Sequence, residues 1–384
     1  MSKKIYYIAH CRFPSERAHA IQIAQMAEAL IATGLELELV VPNRSNAIKI
    51  GAKEYYGLKL DLPVKRLPIL DLYRFGKIGY WLSGCSFMFS YFLFLLVKKI
   101  KGEQFLLYTI DMDQFSFLLV SFLGLPFYVE VHDSKKYGYV FGRMFRKAFG
   151  ILTINSLIKK AIVKNFNLPP GKILVHPNGI NLDRFLSKTD PAGWRKKFDI
   201  PPDVKVVLYT GKCYEWKGMD IFEAALKVLP PNFFFCFVGT TKEEVEAVTR
   251  KPFTYKNARF FGQRPHAEMP NWMAIADVAI VLGTKANEYS YYHTSPMKLF
   301  EYLAVGRPIL ASRTPAILDV VGEAEVFFYE PDNTGDLIRQ IKEVVANKSL
   351  ADAKSLSAKK LAPQFSWLGR AQAVKNYLKS AVGV

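Results

Sequence analysis

Strand-length apolar runs alternate with helix-patterned segments along almost the whole chain, and the alternation restarts once in the middle. Residues 4–9 read as a strand, 18–33 as a helix with apolar residues at helical spacing, and 35–41 as a second strand after Gly34. This is the opening of a β-α-β unit, and further strands are expected at 105–109, 127–131, 150–154 and 173–175. Residues 184–203, punctuated by Pro191, Gly193, Pro201 and Pro202, read as a linker. The pattern begins again at 204–210 and continues through 233–238, 258–261, 278–282, 309–312 and 326–329. A chain of 384 residues is long for one ordinary domain and suits two, with the division expected at 1–184 and 185–365, followed by a last helix in 366–384.

Charge sets the next constraint. The formal net charge is +18, and residues 1–184 carry 25 Lys and Arg against 13 Asp and Glu, so the excess lies mainly in the first half. Such a balance calls for an anionic partner or surface. No nucleic-acid motif is present and the lysines are not interleaved with stacking aromatics, so nucleic acid is not expected; an anionic membrane fits better. The four cysteines, Cys11, Cys85, Cys213 and Cys236, are far apart and form no C-x-x-C pair, as expected of reduced thiols. Met1 to Lys4 precede only a strand-length apolar run, so no secretory leader is expected and a cytoplasmic location follows.

Residues 78–97 form a nearly uncharged, aromatic-rich run of about bilayer-spanning length, preceded by Lys59, Lys65, Arg66, Arg74 and Lys77 and closed by Lys98, Lys99 and Lys101. Ser83, Gly84, Ser86 and Ser90 interrupt it. A transmembrane helix, an interfacial helix and a buried helix of the α/β domain compete here. Because strands resume at 105, the expected reading combines the last two, with one face against the sheet and an exposed aromatic end dipping into lipid.

Residues 295–308, S-P-M-K-L-F-E-Y-L-A-V-G-R-P, read as one short helix with both ends marked. Ser295 suits the N-cap and Pro296 the first helical position, while Gly306 and Pro308 stop it. First-turn amides, including those of Met297 and Lys298, lack partners inside the helix and can hold a phosphate. Lys298 adds charge, and Glu301, about one turn in, can accept two hydroxyls. A pyrophosphate flanked by a ribose matches that set; a solvated amphipathic core helix is the other reading of the same residues.

Other candidates sit where strands end. Lys212 and Lys217, in G-K-C-Y-E-W-K-G after the strand 204–210, can converge on one pyrophosphate or simply be solvated. His132 follows the strand 127–131, where an imidazole can bond a sugar hydroxyl or form a structural turn with Asp133. Asp111-Met112-Asp113 has the form of a D-x-D metal motif, but a loop pair capping the helix at Gln114 is the preferred reading. Residues 135–147, with Tyr137, Tyr139, Phe141 and Arg143, make a basic-aromatic segment suited to a lipid phosphate or a bilayer surface, and equally to a solvated helix face. The loop 11–19 lies at the first strand's carboxyl end without a G-x-G-x-x-G, so no dinucleotide cofactor is expected.

Taken together, S-P-x-K-L-F-E-Y-x-A-x-G-x-P, E-V-H-D, P-N-G-I-N-x-D-x-F at 177–185 and Y-T-G-K…W-K-G resemble, in order and spacing, the signatures of glycosyltransferase family 4, the retaining group 1 enzymes of GT-B fold. The resemblance implies two Rossmann-like, doubly wound α/β domains facing across a cleft, with acceptor on the first, nucleotide sugar on the second, and the closing helix crossing back to the first. It gives Glu301 the ribose, Lys212 and Lys217 the leaving diphosphate, and His132 the donor sugar. Ser295, Pro296, Met297 and Lys298 join the donor site, as do Gly239, Gly262 and Arg264 in the turns near the base and Ser15 in the first loop. The implied donor is a UDP- or GDP-linked sugar, the acceptor a saccharide or lipid-linked saccharide, and no metal or other cofactor is required.

Two departures from the family pattern stand out. Ser15 and Glu16 occupy a loop that is often glycine-rich. His293 stands where the first glutamate of E-x7-E is expected, and His293 or Glu288 is the available substitute. Rival readings are an inverting GT-B transferase or sugar-nucleotide epimerase with His132 as base, and a catalytically silent membrane-associated scaffold.

Overall fold

The computed structural model describes residues 4–111, 115, 118–135 and 138–382; Met112, Asp113, Gln114 and Tyr137 lie outside them. The alternation closes into two separate sheets, each wholly parallel. In the first, β1 (Lys4–Ile8), β2 (Leu37–Pro42), β3 (Val64–Leu67), β4 (Phe105–Asp111), β5 (Phe127–Val131), β6 (Gly150–Thr153) and β7 (Ile173–Val175) are ordered β3-β2-β1-β4-β5-β6-β7. In the second, β8 (Lys205–Thr210), β9 (Phe233–Val238), β10 (Ala258–Phe260), β11 (Val278–Val281), β12 (Ile309–Ser312) and β13 (Phe327–Tyr329) are ordered β10-β9-β8-β11-β12-β13. Each order reverses beside the first strand of its sheet, between β1 and β4 and between β8 and β11. In open α/β sheets that switch point leaves a crevice at the strands' carboxyl ends.

The strands read as continuous apolar runs because helices cover both sheet faces. Every residue of β9, Phe-Phe-Phe-Cys-Phe-Val, is buried, its side chains feeding two core layers on opposite sides of the second sheet. Contacts divide the chain into a unit from Ile180 to Ser366 and a unit formed by the residues up to Gly179 together with those from Trp367 onward. The helix Trp367–Val382 thus packs with the first sheet; the Arg370 guanidinium and the Glu130 carboxylate of β5 meet at 2.6 Å, both wholly buried.

The stretch 184–203 is not an extended connector. Asn181 and Asp190 cap the short helices Leu182–Phe185 and Pro191–Lys197 through their side chains, and Trp194 and Phe198 pack on Trp272 at ring separations of 5.8 and 4.4 Å. Proline at the first turn of a helix gave this stretch the look of a linker.

The apolar run forms the helix Gly76–Ile100. Phe87, Tyr91 and Leu95 enter the core against Tyr6 and Phe105. The serines that interrupt the run have a structural use. Ser83 and Ser86 accept from the Leu72 and Leu70 amides, and Ser90 donates to the Pro68 carbonyl, so together they dock the preceding loop. The helix is long and apolar enough to cross a membrane by length and composition, yet one face is packed on the sheet. Its other face exposes Ile78, Trp81, Phe89, Leu93, Val97 and Ile100, spaced three or four residues apart except for the eight-residue step from Trp81 to Phe89.

Candidate donor site

The residues predicted to hold the diphosphate gather at the switch point of the second sheet. Backbone comes first. Gly211 follows β8 and Gly239 follows β9, with φ of 103° and 96°, values that L side chains rarely adopt. A Cβ on Gly239 would lie 3.0 Å from the Gly211 backbone, so the two strand ends touch as bare main chain. The Gly239 amide donates to the Gly262 carbonyl at 2.6 Å, which extends the glycine shelf past β10.

The helix bordering this shelf is Met297–Val305. It begins one residue later than the expected cap: Pro296 takes the N-cap position in extended conformation, makes no side-chain cap, and leaves Ser295 outside the helix and buried. The Met297 and Lys298 amides stay in the first turn as expected. The Tyr302 hydroxyl holds the helix in register with β8, 3.1 Å from the Thr210 amide and 2.9 Å from its Oγ1.

The Lys298 and Lys217 side chains lie near enough for the charge of one to act on the other. The Lys298 Nζ is buried, lies 3.6 Å from the centroid of the Tyr209 ring, and has no hydrogen-bond partner among the described residues. A Cβ on Gly211 would sit 3.4 Å from it. Burial, and then the nearby charge of Lys217, push the Lys298 ammonium well below the ordinary lysine pKa. Lys217 lies under the Tyr214 and Trp216 rings and donates to the Lys212 carbonyl at 2.8 Å; burial lowers it to about 8. Lys212 itself is exposed and contributes that carbonyl. Burial raises the neighbouring Cys213 thiol to about 11, so it supplies no negative charge near neutrality. Two lysine side chains drawn out of water, with no carboxylate bonded to either among the described residues, make a site that favours an anion.

Glu301 lies near enough for its charge to act on Lys298 and is itself bonded within the same unit. His266, in the turn after β10, places Nε2 2.9 Å from Glu301 Oε1, and the Arg184 Nη1 lies 2.5 Å from His266 Nδ1. Neither His266 nor Arg184 was singled out by sequence; the only signal was a histidine starting a helical turn at a strand's carboxyl end. Arg264 is engaged with Glu268 at 2.9 Å and lies against the Phe198 ring. His293 is buried in the five-residue π-helical turn Tyr289–His293, immediately before Thr294 and Ser295.

In the first unit, His132 follows β5 with Nε2 2.7 Å from Glu130 Oε1. Glu130 also receives Gln22 Nε2 at 2.9 Å, Arg370, and the Tyr108 hydroxyl. Burial alone would raise its pKa; the Arg370 charge, with His132 and Tyr108, holds it down at about 2. The missed signal was a carboxylate two residues before His132, on the same face of an otherwise apolar strand. Ser15 is buried, with its amide and carbonyl both bonded to the Tyr56 hydroxyl at 2.6 and 2.9 Å. Asp111 pairs with Lys135 at 2.7 Å.

With this geometry in hand, the likeness to known proteins is specific in kind. The chain is 21% identical over 241 residues to the uncharacterized glycosyltransferase MJ1607 of Methanocaldococcus jannaschii, covering 60% of each chain. It is 25% identical over 166 residues to the processive diacylglycerol alpha-glucosyltransferase of Acholeplasma laidlawii, covering 42% of this chain and 47% of that one. The chain therefore spans about half the length of these curated relatives. The crystal structure of Anabaena Alr3699/HepE in complex with UDP-glucose superposes with a TM-score of 0.70 at 16% identity, covering 98% and 99% of the two chains. That likeness establishes the fold, an α/β architecture of two Rossmann-like domains of GT-B class. Residues 192–362 match the family model for glycosyl transferases group 1, a stretch that holds the glycine shelf, both converging lysines and Glu301.

Proposed function

We propose that the protein is a glycosyltransferase that binds a UDP- or GDP-linked sugar in its second unit and passes the sugar, with retention and without a metal, to a saccharide or lipid-linked acceptor in glycan synthesis. The observation that carries this reading is the buried, unpartnered Lys298 Nζ beside Lys217 and the Gly211–Gly239 shelf. A diphosphate supplies a negatively charged partner for Lys298 and Lys217, neither of which has a carboxylate hydrogen-bonded to it among the described residues. The first-turn amides of the Met297–Val305 helix add donors for its oxygens.

In the proposed step the bond from the anomeric carbon to the diphosphate oxygen breaks, and a bond to the acceptor oxygen forms on the same face. The acceptor's proton passes to the departing phosphate oxygen. Lys217 and Lys298 stabilise the charge that develops on that diphosphate, the kind of pre-set electrostatic stabilisation that carries large rate effects. Glu301 accepts ribose hydroxyls. His132, in the first unit, keeps the sugar-contacting role that the resemblance gives it. The matched Anabaena structure, solved with UDP-glucose, supports the choice of donor class.

The exposed apolar row of the Gly76–Ile100 helix, flanked by Arg74, Lys77, Lys98, Lys99 and Lys101, supports peripheral attachment to an anionic membrane surface from the cytoplasmic side. A relative named for diacylglycerol as acceptor accords with a lipid-linked acceptor here.

The test is a thermal-shift screen against UDP- and GDP-sugars, with and without EDTA, followed by analysis of the product's anomeric configuration. Stabilisation by one nucleotide class, unchanged by EDTA, and a retained anomer are expected. No shift with any nucleotide sugar, or an inverted product, overturns the reading.

A further inference from the structure

Arg184, next to last in the P-N-G-I-N-x-D-x-F turn, is a residue to which the donor reading gives no task. Arg184 sits on the short helix Leu182–Phe185, whose Asn181 side chain accepts from the Arg184 amide at 3.2 Å. Its guanidinium is a donor at every nitrogen, so the His266 Nδ1 that it meets at 2.5 Å is the acceptor. The other ring nitrogen, Nε2, therefore carries the proton and donates it to Glu301 Oε1 at 2.9 Å. The Phe185 ring stands edge-on against the imidazole, with centroids 5.6 Å apart, and limits its rotation.

We infer that His266, oriented by Arg184, is a positioning residue that sets the Glu301 carboxylate for the two ribose hydroxyls and thereby makes the donor site selective for ribonucleotides. This inference rests on the proposed donor reading and assigns that site's specificity. A carboxylate offers about four lone-pair directions, and one bond from His266 leaves enough of them for two vicinal hydroxyls. The glutamate side chain is then held in one rotamer before the ligand arrives, which lowers the ordering cost of binding. The Glu301 side chain is only 12% exposed and that of His266 31%, so both are sheltered enough for such a bond to count.

The experiment compares UDP and GDP with their 2′,3′-dideoxy analogues, which lack both hydroxyls, by calorimetric titration. The proteins are the wild type, His266→Ala, His266→Gln, Glu301→Ala and the double variant His266→Ala/Glu301→Ala, each checked for an unchanged far-UV spectrum and thermal midpoint. The expected result is that His266→Ala weakens the ribonucleotide about tenfold while leaving the deoxy analogues alone. His266→Gln, which keeps an N–H donor, restores most of the preference. Glu301→Ala removes the preference, and the double variant loses no more. Equal weakening of ribo and deoxy ligands by His266→Ala, or an unchanged preference, overturns the role of His266 while the ribose role of Glu301 stands. A Glu301→Ala protein that still prefers ribonucleotides, or a wild type that binds neither diphosphate, overturns the donor reading and this inference with it.

Discussion

The Lys298 Nζ rests over the face of Tyr209 at 3.6 Å and makes no hydrogen bond among the described residues, while the half-buried Lys217 donates to one backbone carbonyl. A ring face compensates a desolvated cation only in part. The pair is poised to gain from any ligand that brings charge into the pocket.

Diphosphate binding is therefore expected to be coupled to protons. Lys217 is lowered to about 8 by burial, and an incoming anion moves it back toward the ordinary 10.5. Binding then takes up protons at Lys217 between about pH 8 and 10.5, so affinity falls through that window. Titrations of UDP or GDP at pH 7, 8, 9 and 9.5, in buffers of different ionisation enthalpy, measure this. Lys217→Gln is expected to flatten the profile; an affinity that rises with pH in the wild type contradicts the assignment.

Turnover is expected to separate the two lysines of the G-K…W-K-G loop. Lys217→Ala removes a buried charge at the leaving group and is expected to lower kcat by about 100-fold. Lys212→Ala, whose side chain is exposed and whose carbonyl survives the change, is expected to cost less than about tenfold. Steady-state kinetics with a folded Lys217→Ala protein that keeps its activity would remove Lys217 from the mechanism.

Glu130 makes the first unit acid-sensitive. Its folded pKa of about 2 lies below the ordinary 4.5, so its ionised form stabilises the fold above about pH 4.5, and that contribution disappears as pH falls toward 2. Arg370→Met leaves the buried carboxylate without its main charge partner and is expected to cost about 3–5 kcal/mol. The double variant Glu130→Gln/Arg370→Met is expected to recover part of that loss. Urea unfolding at pH 7 and pH 3 checks both statements; equal stability of Arg370→Met and wild type at pH 7 refutes them.

Vesicle co-sedimentation addresses the exposed row on the Gly76–Ile100 helix. Binding to vesicles containing phosphatidylglycerol and not to pure phosphatidylcholine is expected, weakening with salt. Replacing Trp81, Phe89 and Leu93, all more than half exposed, by Gln is expected to abolish binding with little change in thermal midpoint. Dimerisation through this face, seen by light scattering and lost in the same variant, would assign the row to a second copy instead.

Much of the architecture was legible because strands buried on both faces leave long apolar words such as the Phe-Phe-Phe-Cys-Phe-Val of β9, and the glycines that end them mark the loops. What escaped reading lies in contacts between distant positions. Glu130 and Arg370 are 240 residues apart, and His266 and Glu301 are 35 apart; no local period announces either pair. Proline misled twice. It placed the start of the Met297–Val305 helix one residue early, and it made the capped helices near 184–197 look like a connector. Lys298 and Lys217 were each legible as phosphate ligands, but their pairing over Lys212 depends on how the loop 211–217 folds back on itself.

The closing helix has a consequence for biogenesis. Arg370 reaches Glu130 only after every residue from Ile180 to Ser366 has been translated, so the first unit waits, its carboxylate without its guanidinium partner, while the second already has all its parts. On the ribosome the unit begun first is completed last.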